Sequence, residues 1–169
     1  ADGHGREVAV GEPGELLIRP EQPSLLMQGY YGMPEATLSA FKDLWFHTGD
    51  VLRQDEDGYL YFVGRRDEMI KTSGYRVSPT EVDDILYATQ LVGECVAFGV
   101  PHPLLGQTIQ VIATPPSAPN DQVQNDLITE CRSRMPAYML PAGIDWVTGP
   151  LPRNANGKMD RATLARDWL

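Results

Sequence analysis

Basic charge is in short supply in this chain. Its 169 residues carry 14 Lys and Arg against 23 Asp and Glu, a formal net charge of −9. A nucleic-acid binder normally shows a basic face, so this balance argues against one, while leaving room for a local cationic site for phosphates. Cysteine is scarcer still: Cys95 and Cys131 are the two present. They have no metal-ligand spacing, and the sequence offers no set of metal ligands elsewhere. Both sit in apolar-patterned segments and read as small buried hydrophobes in a reducing compartment, which points to the cytoplasm. No apolar run reaches the length of a membrane span. The start, Ala1-Asp2-Gly3-His4-Gly5, has neither a signal-peptide pattern nor an initiator Met. A Gly-rich phosphate cradle is missing as well, because Gly157-Lys158 lacks the earlier glycine that a P-loop needs.

What is present can build a core. Hydrophobic residues make up 42% and charged residues 22% of the chain, a composition outside the disordered range and sufficient for one ordinary domain or two small ones. Gly14–Arg19 reads as a short strand after a Gly-Glu-Pro-Gly turn. Pro34–Phe41 reads as a short helix with proline in its first position and Leu38 and Phe41 on one face. Val51–Gln54 and Tyr59–Val63 flank Asp55-Glu56-Asp57-Gly58, a hairpin signal in which Gly58 tolerates positive φ.

The boundary falls at Gly64–Asp67. A second hairpin follows, Met69–Thr72 and Tyr75–Val77, turning at Ser73-Gly74. Ser78-Pro79-Thr80-Glu81 opens a helix, with Ser78 as cap, Glu81 closing a capping box and Val77 and Val82 as the hydrophobic staple. Val82, Ile85, Leu86 and Thr89 share a face. Val92–Val100 reads as a strand that Pro101-His102-Pro103 breaks. Thr108–Thr114 is the next strand, Asn120 caps a helix to Met135, Ile144–Val147 is a third strand, and Arg161–Leu169 a terminal helix. The expected class is α+β: a β-rich segment over 1–66, then a small α+β domain over 67–169 made of a hairpin, a three-stranded sheet and packed helices.

Three segments hold the candidate chemistry. Leu151-Pro152-Arg153-Asn154-Ala155-Asn156-Gly157-Lys158-Met159-Asp160-Arg161 sets Lys158 behind an Asn-Gly turn; alone, this is an ordinary solvated lysine. Trp45-Phe46-His47-Thr48-Gly49-Asp50 ends on an aspartate whose local pattern also fits a turn or cap. The third segment is Gly64-Arg65-Arg66-Asp67-Glu68-Met69-Ile70-Lys71-Thr72-Ser73-Gly74-Tyr75-Arg76-Val77. In this order and spacing the three resemble the adenylate-forming enzyme superfamily: AMP-forming acyl-CoA ligases, adenylation domains of nonribosomal peptide synthetases, and luciferases. The resemblance runs from about Gly14 to Asp167. The Trp-Phe-His-Thr-Gly-Asp form looks more like the acyl-CoA ligases, and Gly64–Pro79 with Leu86–Thr89 looks closest to bacterial ligases associated with exosortase systems.

The resemblance implies a two-step reaction: a carboxylate is joined to the AMP moiety of ATP, and the acyl group then passes to a thiol. It places Lys158 between the substrate carboxylate and the α-phosphate, Asp50 on the ribose hydroxyls, and Arg65 on the ribose or phosphate region. Asp67 matches the hinge. Gly74, Tyr75 and Arg76 match the loop that lines the pantetheine tunnel, a role compatible with Gly74 being simply a hairpin glycine. Lys71 reads as a surface lysine or a ligand. ATP, AMP and CoA are implied as substrates, and Mg2+ by the family without a ligand in this chain. Implied partners are an upstream N-terminal domain carrying the phosphate loop and acyl pocket, a carboxylic acid, CoA or a phosphopantetheine carrier, and a protein acetyltransferase acting on Lys158. The chain then reads as a C-terminal fragment, inactive alone. Two other readings stand beside it: an adenylation domain that loads a carrier protein, and a non-catalytic interaction module. Some relatives carry a second lysine where this chain has Ser73. Arg66 reads as a surface residue without a role, His47 as structural, and His102 as a loop residue.

Overall fold

The computed structural model describes residues 1–116 and 121–168. The chain divides into two compact units, Ala1–Asp67 and Glu68–Leu169, one residue beyond the expected break.

The first unit holds β1 (Pro13–Ile18), α1 (Pro34–Ala40), β2 (Phe41–Lys42), β3 (Trp45–Gln54) and β4 (Leu60–Arg65). β3 is the spine of a four-stranded antiparallel sheet, pairing with β1, β2 and β4. Asp50, expected at a strand edge, lies inside β3 in a bulge. His47 faces Leu17 and Val51 faces Glu15, so Thr48, Gly49 and Asp50 together oppose Leu16 alone. A bulge bends a strand and re-aims its side chains. Here Gly49 permits it with a φ of +76°, and a Cβ there would come within 2.7 Å of the Arg65 guanidinium.

Glu15 supports the bulge from β1. Its Oε1 accepts the Gly49 N–H at 3.2 Å, and its Oε2 lies 3.2 Å from His47 Nδ1 and 2.6 Å from Arg66 Nη1. Arg66, read from sequence as a residue without a role, is therefore the counterion of a carboxylate that is only 8% exposed; an acid can be buried here because a guanidinium closes over it. Burial works to raise the Glu15 carboxyl, and the hydrogen bonds from Arg66 and His47 outweigh it, leaving Glu15 below the ordinary range.

The first unit has little core of its own. Among the described residues, every buried hydrophobic side chain lies between Ile70 and Leu151. Leu38, expected to face inward from α1, is 75% exposed, and Tyr59, Leu60, Tyr61 and Phe62 at β4 are all exposed.

The second unit holds β5 (Ile70–Thr72), β6 (Tyr75–Val77), α2 (Pro79–Ala88), β7 (Cys95–His102), β8 (Gly106–Ala113), α3 (Asp121–Arg134), a 3-10 turn (Ala137–Met139), β9 (Gly143–Trp146) and α4 (Arg161–Trp168). The hairpin and the three strands expected separately are one five-stranded sheet, joined where Thr72 pairs with Gly106. Ser78 caps α2 by accepting the Glu81 N–H at 3.4 Å, as its sequence signals. The expected cap of α3, Asn120, lies outside the described residues, as do residues 117–119 and Leu169, the expected last residue of the terminal helix.

Alternation along β7 and β8 divides the apolar residues between two cores. Cys95, Ala97, Ile109, Val111 and Ala113 face Val82, Leu86, Leu127 and Cys131 from α2 and α3. Val96, Phe98 and Ile112 face the other way, with Leu151, and with Met159 and Leu164 packed alongside. Both cysteines are free and buried, and burial pushes the Cys95 thiol up to about 12, which makes it unreactive.

Among the described residues β7 pairs with β8 alone, and side chains close its outer edge. The Tyr87 hydroxyl accepts the Cys95 N–H at 3.1 Å, and Asp83 Oδ1 accepts the Ala97 N–H at 2.6 Å. The Ala97 carbonyl accepts from Arg161 Nη1, while Arg161 Nη2 lies 2.9 Å from Asp83 Oδ2. This corrects the expectation that Pro101 ends the strand. β7 runs on, with Pro101 opposite Gln107 and His102 opposite Gly106. Residues 95, 97 and 101 share a parity, so the N–H that Pro101 lacks is one that would point away from β8.

Two stability predictions follow from these networks. Burial pushes the Asp83 carboxyl up to about 6 against the pull of Arg161, so the pair places α4 on β7 rather than adding net stability. Asp83→Ala leaves Arg161 and the Ala97 N–H without this partner and is expected to cost about 3–5 kcal/mol; Asp83→Asn, which keeps an oxygen for Ala97, costs less. Denaturant unfolding checks this, and a cost below about 1 kcal/mol for Asp83→Ala contradicts it. The Glu15 carboxyl is lowered from 4.5, so its contribution is fully present above that pH and is lost as the pH falls through its folded value. Glu15→Gln should flatten the acid limb of the thermal unfolding midpoint measured from pH 7 to 3; an unchanged slope contradicts the assignment.

Candidate functional site

The candidate residues fall into three places. In the first unit the β3 bulge aims Asp50 at Arg65, its register partner on β4. Arg65 Nη1 lies 2.7 Å from Asp50 Oδ1 and donates to the Thr48 carbonyl at 2.9 Å. Its Nε lies 3.4 Å from Asp67 Oδ1. The hydrogen bond to Asp50 pushes the already high Arg65 pKa higher. Asp50, Arg65 and Asp67 thus form one half-exposed cluster. Arg65 is fixed by its partners, and Asp50 keeps its second oxygen for an external donor.

Asp67 and Glu68 straddle the division between the units, and their carboxylates go to different places. Asp67 turns to Arg65; Glu68 Oε2 takes Arg161 Nε at 3.3 Å. Sequence reasoning did not find Glu68 or Arg161, because both carry unremarkable surface-type charges whose pairing spans 93 positions.

The second place is the β5–β6 turn. Ser73 and Gly74 both have positive φ, +50° and +85°, the pattern of a tight two-residue hairpin. A Cβ at Gly74 would meet nothing within 4 Å, so the glycine is demanded by its φ rather than by crowding. Tyr75 stacks on Tyr138, with ring centroids 4.0 Å apart and planes 6° apart. The Ser73 N–H donates to the Leu105 carbonyl at 2.9 Å, tying this turn to the β7–β8 turn. There His102 does more than fill a loop: its Nδ1 accepts the N–H groups of Leu104 and Leu105 at 3.3 and 3.2 Å. Lys71 and Arg76 face each other across the hairpin, both exposed.

The third place is the Lys158 turn. Asn154 Oδ1 accepts the N–H groups of Asn156 and Lys158 at 3.0 and 3.1 Å, and Arg153 bridges to Met159. Gly157 has a φ of +77°. Lys158 is exposed, and its ammonium makes no ion pair among the described residues. Asp160 then caps α4 by accepting the Thr163 N–H at 3.1 Å.

Other features are bland. A cavity of about 460 Å³ in the first unit is lined by Val8, Leu17, Trp45, Leu52 and Leu60 among others, and by none of the candidate residues. Among the described residues no group of three or more His, Cys, Asp or Glu could hold a metal ion. No helix of the described residues is long and apolar enough to cross a membrane.

Residues 81–158 match the AMP-binding enzyme C-terminal domain. The chain is 36% identical over 168 residues to a probable CoA ligase of Humulus lupulus, covering 99% of this chain and 31% of that protein. It is 36% identical over 160 residues to a long-chain-fatty-acid–CoA ligase of Haemophilus influenzae, covering 95% and 27%. Among solved structures it resembles the anthranilate CoA ligase AuaEII in complex with anthranoyl-AMP, with a TM-score of 0.84 and 32% identity over 98% of this chain and 32% of that one. ATP-bound MatB from Rhodopseudomonas palustris aligns with a TM-score of 0.83 and 26% identity, over 98% and 32%. The chain spans about a third of the length of the curated relatives it matches. Residues 81–158 are an AMP-binding enzyme C-terminal domain, and the chain as a whole is similar to part of the adenylate-forming CoA ligases.

Proposed function

We propose that this chain is the C-terminal part of an AMP-forming acyl-CoA ligase and supplies its adenylation lysine and its thioester-forming face. Residues 1–66 are the closing β-subdomain of a large N-terminal domain, and residues 67–169 the mobile C-terminal domain. The observation that carries the reading is Lys158: an ammonium without an ion-pair partner, on a built turn, in a chain of net charge −9. The first unit supports it too, since a sheet that buries so little of its own apolar surface needs more protein against it.

In the first half-reaction a carboxylate oxygen attacks the α-phosphorus of ATP and the bond to pyrophosphate breaks. Two anions approach, so a mobile point charge between them lowers the barrier. Lys158 fills that role. Asp50 accepts the ribose hydroxyls with its free oxygen, and Arg65, held by Asp50 and Thr48, faces the nucleotide. In the second half-reaction the thiol sulfur of CoA attacks the acyl carbon and AMP leaves. The Gly74–Arg76 turn lines the path of the pantetheine arm. The switch between the two bends the backbone at Asp67, next to Glu68: the adjacent carboxylates are tied to opposite sides of that bond, so the backbone between them is the free element. CoA is the acceptor favoured by the names of the relatives. The chain works only together with the remaining two thirds of the enzyme.

Acetylation of Lys158 by a protein acetyltransferase would remove the charge and the ammonium donor together. The test is single-turnover kinetics of the full-length enzyme with Lys158→Ala, started once from ATP plus acid and once from synthetic acyl-adenylate plus CoA. Adenylation is expected to fall on the order of 10²–10³-fold, the typical cost of losing one such electrostatic contact, and thioester formation to fall far less. Equal losses contradict the two-state reading. An unchanged adenylation rate returns Lys158 to an ordinary surface lysine.

A further inference from the structure

The turn that carries Lys158 is fixed from outside by a residue of another segment. Glu94 lies just before β7, far from every motif in sequence. Its Oε2 accepts the Leu151 N–H at 2.9 Å, and its Oε1 takes Arg153 Nη2 at 2.5 Å. The other arm of the same guanidinium, Nη1, donates to the Gly157 carbonyl at 3.1 Å. That carbonyl belongs to the peptide group whose nitrogen is that of Lys158. One planar guanidinium therefore spans from Glu94 to the peptide bond that bears the lysine. Only a fork of fixed geometry makes both bonds at once; an ammonium is a single point charge.

The turn does not need this bridge to close. Asn154 already accepts the N–H groups of Asn156 and Lys158, and its own N–H donates to the Lys158 carbonyl at 2.8 Å. These bonds set the internal shape of the turn. They do not set how the turn stands on the unit. Its feet are Leu151, buried in the second core, and Met159, packed against it. Between the feet, the remaining freedom is a tilt, and the Glu94–Arg153–Gly157 bridge removes it. Nor does stability explain the bridge. The Arg153 and Glu94 side chains are 49% and 27% exposed, and ion pairs at that exposure contribute little. The Leu151 N–H, first, and Arg153 hold the Glu94 carboxyl below the ordinary range, so the bridge is charged at neutral pH.

We propose that Glu94 and Arg153 are positioning residues for Lys158, holding its turn at the tilt that delivers the ammonium to the reacting oxygens. This rests on the reading of Lys158 as the adenylation lysine. Neither residue touches substrate. Their effect comes from the steep cost of misplacing a catalytic group, roughly a hundred-fold for about 1 Å.

The experiment uses the full-length enzyme proposed above, with Glu94→Gln, Arg153→Met, Arg153→Lys, the Glu94→Gln/Arg153→Met double variant, and Lys158→Ala alongside. Glu94→Gln keeps its one oxygen for the Leu151 N–H and turns an NH2 donor toward Arg153, so the ion pair and its hydrogen bond are lost while the Leu151 bond stays. Each single variant is expected to slow acyl-adenylate formation roughly ten- to hundred-fold. The KM for ATP, the thermal midpoint and thioester formation from preformed adenylate should stay unchanged. The double variant should be no slower than the worse single one, because both break one bridge. Arg153→Lys should not rescue, since it restores the charge without the fork. Full adenylation rates in Glu94→Gln and Arg153→Met, with Lys158→Ala inactive, overturn the proposal while leaving the role of Lys158 intact. So do equal losses in both half-reactions or a lowered thermal midpoint, which mark a general structural role. Full adenylation in Lys158→Ala overturns the underlying reading itself.

Discussion

The open edge of β7 is the constraint around which the second unit is built. A strand with one neighbour leaves a row of N–H and C=O groups unpaired, and water or another strand will take them. Here α2 and α4 take them instead. Tyr87 serves Cys95, Asp83 serves the Ala97 N–H, and Arg161 serves the Ala97 carbonyl. Closing that edge forces α4 to lie where Arg161 can reach Asp83. Because Arg161 follows Lys158 by three residues, the same requirement fixes one end of the lysine turn. Glu94 and Leu151 fix the other. The candidate catalytic residue is thus exposed and, among the described residues, without an ion-pair partner, on a frame whose own side chains are paired.

The division between the units has a similar logic. Asp67 and Glu68 are neighbours in the chain, and each is anchored on its own side, to Arg65 and to Arg161. The proposed hinge at Asp67 thus lies where one anchored side chain gives way to the next. The β3 bulge does the corresponding work in the first unit. It needs a glycine for its backbone, a buried glutamate for its support, and Arg66 and His47 on that glutamate's outer oxygen. Asp50 and Arg65 meet because those four conditions hold together.

Local signals were legible in the sequence. The Ser78-Pro79-Thr80-Glu81 cap, the Asp55–Gly58 hairpin and the strands at Val92–Val100 and Thr108–Thr114 follow rules that operate within a few residues, and all are present. Non-local pairing was not legible. Glu15 meets Arg66 across 51 positions and Arg161 meets Asp83 across 78; nothing in either charged residue marks its partner. Asp83 sits one position beyond Val82 on a helix whose apolar face was read correctly, yet it is buried because an arginine elsewhere pays for it. Pro101 was misread because the breaker rule ignores which edge of the strand the missing N–H faces. Of the candidate site, the residue identities came from three short motifs. Gly74 was legible as a hairpin glycine; the bulge that aims Asp50 and the bridge beneath Lys158 came only from the fold.

The most direct test of the account asks where Lys158 is when the adenylate is bound. Lys42, Lys71 and Lys158 are the lysines of this chain, so amine acylation followed by mass spectrometry reads each one separately. In the full-length enzyme, addition of ATP and its acid should protect Lys158 from acylation strongly, and Lys42 not at all. Equal labelling of Lys158 with and without the adenylate would contradict the claim that its ammonium enters the active site.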